Sequence, residues 1–255
     1  PYTFQSHPSL AGFKTLLDLE TEGYGVNADV GIAWRPDESL TLALSYRTPT
    51  SIETHGTATG DLREQFDNLG LAAPSTFRYD AEVANEFPDI LSAGLSWQAT
   101  EKTRLSFQTD WIGWSDSFDS LTVRLDNGSN DSINGLLGDD GIVDTIPLDW
   151  KDRFVFRAGL DHQIASDWFL RAGYSHGRSP VPDSTLTPMT AAISEHAVAF
   201  GVGHVRGPLS VDIAYQIDLP ESRTSSSTSI LSGEYAGSTI DLTAHWIALT
   251  VGYEF

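Results

Sequence analysis

Lys151, Arg153 and Arg157 stand two or four residues apart in an acidic chain, with Phe154, Phe156 and Leu160 at the intervening parity. In an extended segment successive side chains point to opposite faces, so the three cations form one ridge and the apolar residues another. A cationic ridge shielded from water could hold a carboxylate, because charge-assisted hydrogen bonds offset the cost of taking the anion out of solvent. The same cations could instead pair with Asp110, Asp152, Asp161 and Asp212. Both uses are compatible, since a ligand head group can replace one partner of such a network.

Other chemistry is poorly supported. The run Asp126-Asn127-Gly128-Ser129-Asn130-Asp131, followed by Asp139, Asp140 and Asp144, offers oxygen ligands for Ca²⁺. It lacks the order of an EF-hand loop and reads as a solvated acidic loop, so no metal site is assigned. Asp161-His162 and Asp139-Asp140 could activate water, but alternation sends Asp161 and His162 to opposite faces. No catalytic residue and no cofactor are expected, and the chain is not read as an enzyme. It has no cysteine, which excludes disulfides and thiolate metal sites. With 15 Lys+Arg against 35 Asp+Glu, a net charge of −20, it has no basic face for nucleic acid.

The elements that must position the ridge are strands. Period-two alternation recurs at nine places, at about Gly23 to Arg35, Leu40 to Ile52, Pro88 to Gln98, Thr103 to Ser115, Asp149 to Gln163, Trp168 to Arg178, Glu195 to His204, Pro208 to Leu219 and Ala244 to Phe255. Tight links (Pro36 to Ser39, Ala99 to Lys102, Ile164 to Asp167, Val205 to Gly207) alternate with long ones (Glu53 to Phe87, Asp116 to Leu148, Ser179 to Ser194, Pro220 to Thr243). Transmembrane barrels segregate turns and loops to opposite rims in this way. No stretch approaches the roughly 18 consecutive apolar residues of a membrane helix, so the membrane would be crossed by a closed sheet.

Aromatic residues mark two belts, as a bilayer-spanning barrel requires. Trp34, Trp97, Trp168 and Tyr253 fall near the tight links, and Tyr46, Trp111, Trp114, Tyr174 and Tyr215 toward the long ones. The ending Ile247, Leu249, Val251, Tyr253, Phe255 puts alternate apolar side chains on one face, the terminal pattern that outer-membrane assembly machinery favours. Counting back from it places every tight link on the periplasmic side and Lys151 near the outer end of a descending strand. His196 and His245 read as isolated interfacial side chains. Leu69, Leu71, Ala72 and Ala73, with Ile133, Leu136 and Leu137, are apolar residues inside long links. Short helices lining a ligand mouth and packing of loop on loop both account for them. Ser225 to Ser229 and Gly233 read as a polar surface loop.

The runs Asp149-Trp150-Lys151-Asp152-Arg153, Phe169-Leu170-Arg171-Ala172-Gly173-Tyr174-Ser175 and Ser179-Pro180-Val181-Pro182 resemble the FadL/TodX family of outer-membrane transporters for long-chain fatty acids and aromatic hydrocarbons. Leu44-Ser45-Tyr46-Arg47-Thr48-Pro49, Phe87-Pro88-Asp89 and Trp114-Ser115 add to the resemblance, which covers the chain from about Gly23 onward. It implies an all-β antiparallel transmembrane barrel of about fourteen strands blocked by a small N-terminal hatch. It also implies a hydrophobic ligand captured among outer loops and released sideways through a gap by an early kinked strand. Lys151 matches a family Lys associated with the bound carboxylate.

With nine strands readable and Pro1 at the start, residues 1–255 are expected to be the C-terminal portion of one barrel domain, without hatch and early strands. An odd strand count leaves parallel outer edges, so an open or strained sheet is expected. The expected activity is passive, binding-mediated uptake of a hydrophobic small molecule across a Gram-negative outer membrane. The alternative is a diffusion porin or a surface-binding or adhesin barrel. Expected partners are that ligand, outer-membrane lipid and lipopolysaccharide, and the barrel assembly machinery during insertion, with the protein a monomer. Lys151, Arg153 and Arg157 are the candidate substrate-binding residues.

Overall fold

The computed structural model describes residues 2–6, 12, 14–70, 72–226, 233 and 235–254. Its elements in chain order are β1 (Tyr2–Thr3), β2 (Lys14–Glu22), β3 (Asp29–Trp34), β4 (Leu40–Arg47), β5 (Thr50–Asp61), α1 (Arg63–Leu69), β6 (Thr76–Phe87), β7 (Ile90–Thr100) and β8 (Thr103–Ile112). They continue with α2 (Trp114–Ser117), β9 (Ser120–Asp126), α3 (Asp131–Leu137), β10 (Ile142–Pro147), β11 (Arg153–Ala165), β12 (Trp168–Gly177), β13 (His196–Arg206), β14 (Leu209–Thr224) and β15 (Thr239–Tyr253). All pairings are antiparallel.

The nine strands expected from alternation form one sheet in the order β15-β14-β13-β12-β11-β8-β7-β4-β3. One row across it reads Trp34, Leu42, Leu95, Phe107, Ala158, Tyr174, Val198, Ile217, His245. The adjacent row on the other face reads Ala33, Ala43, Gly94, Gln108, Arg157, Ser175, Ala197, Asp218, Ala244. One face is therefore largely apolar and the other small or polar. On the apolar face Phe200, Ile247 and Leu249 are 60%, 81% and 65% exposed, an arrangement that water penalises and hydrocarbon does not. The sheet is open, its edge strands β3 and β15 unpaired with each other, as the odd count requires.

Eight of the nine girdle aromatics within the described residues lie on the apolar face. Trp114 does not: it sits on α2 and packs edge-on against Phe118 and Trp150, because the strand ends at Ile112 and the chain turns inward. His196 and His245 are not isolated either. Their Nδ1 atoms lie 2.7 and 2.6 Å from the hydroxyls of Tyr174 and Tyr215, and the His196 ring stacks on His176 at 4.5 Å. The terminal Phe255, Leu71 and Ser227 to Ser229 lie outside the described residues.

The long links hold more structure than their reading as loops allowed. β5, β6, β9 and β10 join β1 and β2 in a six-stranded cap sheet, order β1-β2-β5-β6-β9-β10. The hairpin β5–β6 prolongs β4 and β7, so the cap grows from the wall itself. One cap face buries Ala58, Phe77, Tyr79, Ala81, Val83, Val123 and Leu125 with Phe4, Phe66, Ile133 and Ile142. Leu69 and Leu136 fall within α1 and α3, but Ile133 is buried in this core, and Ala73 and Leu137 pack on it. Ile133, Ala73 and Leu137 help to hold the cap together rather than line a mouth.

The acidic run before α3 builds local structure. Asn130 caps α3, accepting from the backbone N–H groups of Ser132 and Ile133, and its amide donates to the carbonyls of Pro74 and Thr76. Asp139 accepts from Asp140 and Gly141 in a tight turn. Asp144 is not a solvated loop residue. It is 1% exposed and accepts from Tyr2, Gln5 and Ser6.

Candidate functional site

The candidate cations divide by what they touch. β11 begins at Arg153, so Lys151 precedes the strand and its parity does not follow from alternation. Lys151 is exposed, anchored by its backbone N–H to the Pro180 carbonyl at 3.0 Å, and its ammonium has no carboxylate within 4.0 Å among the described residues. Arg153 donates to the carbonyls of Ser179, at 2.9 Å, and Asp152. Arg157 pairs with Asp110, whose side chain is 6% exposed and also accepts from Gln108 at 2.7 Å. Arg157 also borders a depression of about 400 Å³ on the polar face, beside Thr41, Ala43, Ser96 and Gly159. Among the described residues the Asp152 carboxylate pairs with no cation; it accepts from the Ser115 N–H.

Alongside Lys151 the chain folds into a second core. Leu148, Trp150, Val181, Leu186 and Ile193 are buried together, with Trp114, Phe118, Ile146, Ile240 and Leu242 against them. Trp150 lies 4.9 Å from Trp114 and 4.7 Å from Phe118, ring centre to ring centre. The Ser179-Pro180-Val181-Pro182 motif is the hinge of this core. Arg153 and Arg223 both bind it, Glu195 accepts from the Ser179 N–H, and Val181 enters the apolar cluster. The Trp150 indole N–H is buried without a partner among the described residues.

Sequence reasoning missed Arg171. It lies on the polar face of β12 and binds Asp161 at 2.6 Å and Asp212 at once, with Arg104 3.7 Å from Asp161. The signal was available: Arg171 shares parity with Gly173 and Ser175, opposite Leu170, Ala172 and Tyr174. Asp161 and Asp212 thus belong to Arg171 and not to Arg153 or Arg157.

A family profile described as outer membrane protein transport protein (OMPP1/FadL/TodX) matches residues 6–255. The chain belongs to this family. Solved structures agree on the FadL/TodX fold. They include the toluene transporter TodX of Pseudomonas putida (22% identity, TM-score 0.66, 91% of this chain and 49% of that one). The toluene transporter TbuX of Ralstonia pickettii matches at 15% identity and TM-score 0.66, over 96% and 52%. A FadL homologue of Pseudomonas aeruginosa matches at 17% identity and TM-score 0.72, over 97% and 58%. The chain spans about half the length of these proteins. None of the curated protein sequences matches. FadL/TodX proteins are transport proteins and not enzymes, and the nine-stranded sheet is part of their antiparallel transmembrane barrel.

In such a barrel the polar face lines the lumen, and the Arg171 network lies near the tight-turn rim. Its room depends on Gly203, where a Cβ would collide with Asp212 Oδ1 and the Arg171 guanidinium. Gly203→Ala is expected to separate that pair and lower the urea midpoint of the folded barrel. Both side chains are about a third or more exposed, so the loss is about 1 kcal/mol. An unchanged midpoint would show the pair to be inert.

Proposed function

We propose that the chain is part of an outer-membrane channel of a Gram-negative bacterium that takes up hydrophobic small molecules, long-chain fatty acids or aromatic hydrocarbons, by passive binding. The carrying observation is at the mouth. Arg153 and Arg157 already have protein partners, whereas Lys151, exposed and next in the chain to the buried Trp150 of an aromatic and aliphatic cluster, has no described carboxylate within 4.0 Å of its ammonium. Apolar area supplies binding energy, and the ammonium fixes the polar end of an amphipathic ligand. Arg157, at the edge of the luminal depression, offers a second cation once Asp110 yields to a ligand carboxylate, and Arg153 holds the motif between them. Membrane lipid and lipopolysaccharide surround the apolar wall, the assembly machinery inserts it, and the working unit is a monomer.

Cells expressing the complete protein with Lys151→Ala should take up labelled oleate about tenfold more slowly, the worth of one charge-assisted hydrogen bond. Their uptake of toluene, which has no carboxylate, should be unchanged. Equal oleate uptake removes Lys151 from the site. A steady, large single-channel conductance would fit the diffusion porin instead.

A further inference from the structure

The cap sheet carries a cluster that transport does not use. His55 on β5 faces Glu82, its register partner on β6, and shares its face with Glu53 two residues earlier. His55 Nε2 is 3.2 Å from Glu53 Oε1, and Nδ1 is 3.9 Å from Glu82 Oε2. One ligand atom from each of the three falls within 4.8 Å of the others, the one such histidine and carboxylate group among the described residues. β2 sets Glu22 opposite His55 on its other side. The same face bears Glu20 and Asp80 at the Thr57 register, countered by Arg124 opposite Glu82. This face is turned away from the cap core, and His55 lies nine residues beyond the girdle residue Tyr46, about 30 Å along an extended chain.

We propose that Glu53, His55 and Glu82 form a surface site for a borderline divalent transition-metal ion, zinc being the best match. An imidazole nitrogen with two carboxylate oxygens is a zinc donor set that leaves a position for water. Magnesium and calcium prefer all-oxygen shells, so the imidazole confers selectivity against them. The surrounding negative field raises the local cation concentration without choosing among metals. Glu22 is placed to become a fourth donor by a side-chain rotation. Bound metal would tie β5 to β6, and through Glu22 to β2, pinning the cap strands from the solvent side. The site stands whichever compound the barrel admits.

Isothermal titration of the complete protein in detergent with ZnCl₂ tests this. One saturable event per chain is expected, weakened about tenfold or more in both His55→Ala and Glu53→Gln, as loss of a donor entails. A large excess of MgCl₂ should not displace the zinc. The two substituted side chains are exposed, so the variants should keep wild-type circular dichroism, and Glu53→Gln preserves side-chain shape. Absence of a saturable event, wild-type affinity in both variants, or displacement by equimolar magnesium would each overturn the proposal.

Discussion

Trp150→Ala is expected to loosen the whole mouth of the channel. The indole is 6% exposed and packs on Trp114 and Phe118 at one side and on the Val181, Leu186 and Ile193 cluster at the other. Truncating so large a buried side chain typically costs about 3–5 kcal/mol, part of it for the cavity left behind. The cost falls on the mouth, because the nine-stranded wall buries none of these rings. Limited proteolysis should cut within 179–194 far faster than in wild type, while the heat-resistant migration of the barrel in detergent gels persists. Uptake should fall for oleate and toluene alike, which separates this variant from Lys151→Ala. Trp150→Phe keeps most of the buried area and should restore both. If Trp150→Ala left proteolysis unchanged, the cluster would not be what orders the mouth.

The wall was legible because a period of two is enforced twice, once by hydrocarbon outside and once by polar lumen inside. Phe154 and Arg157, or Tyr215 and Gln216, could not exchange faces without exposing charge to lipid. The cap was hidden for two reasons. β5, with Thr50, Thr54, Thr57 and Thr59, Gly56 and Gly60, and Asp61 at its far end, has little apolar signal and is a strand because its neighbours are. β6 and β9 do alternate, Phe77, Tyr79, Ala81 and Val83 in one and Leu121, Val123 and Leu125 in the other. Their pattern was absorbed into links judged by length, since a barrel loop need not be a strand. The site was half legible for a related reason. Charge type and parity brought out Arg153 and Arg157, but partners across strands depend on register. Only the register assigns Asp110 to Arg157, and Asp161 with Asp212 to Arg171.

Asp144 ties residues 2–6 to the cap, and its removal should release them. Its carboxylate accepts from the Tyr2 hydroxyl at 2.6 Å, the Gln5 N–H at 2.9 Å and the Ser6 N–H at 2.6 Å, on the strand β10. Burial pushes its pKa up, but the hydrogen bonds from Tyr2, Ser6 and Gln5 outweigh that and hold it below the usual carboxylate range. A carboxylate depressed in the folded state adds stability that is fully present above its unfolded value of about 4. That stability is lost as pH falls through the folded value. At neutral pH, Asp144→Ala leaves several donors unsatisfied, and with water reaching some of them the docking of β1 should weaken by about 2–4 kcal/mol. Asp144→Asn retains one acceptor oxygen and should lie between. Hydrogen exchange, corrected for intrinsic rates, should show the Gln5 and Ser6 amides protected in wild type at neutral pH, the protection being lost only as pH falls through the depressed folded-state value of Asp144, below the usual carboxylate range. In Asp144→Asn the protection should be low and flat across that range, because the titrating carboxylate is gone. Wild-type protection in that variant would mean that Phe4, packed in the cap core at 1% exposure, holds the segment alone.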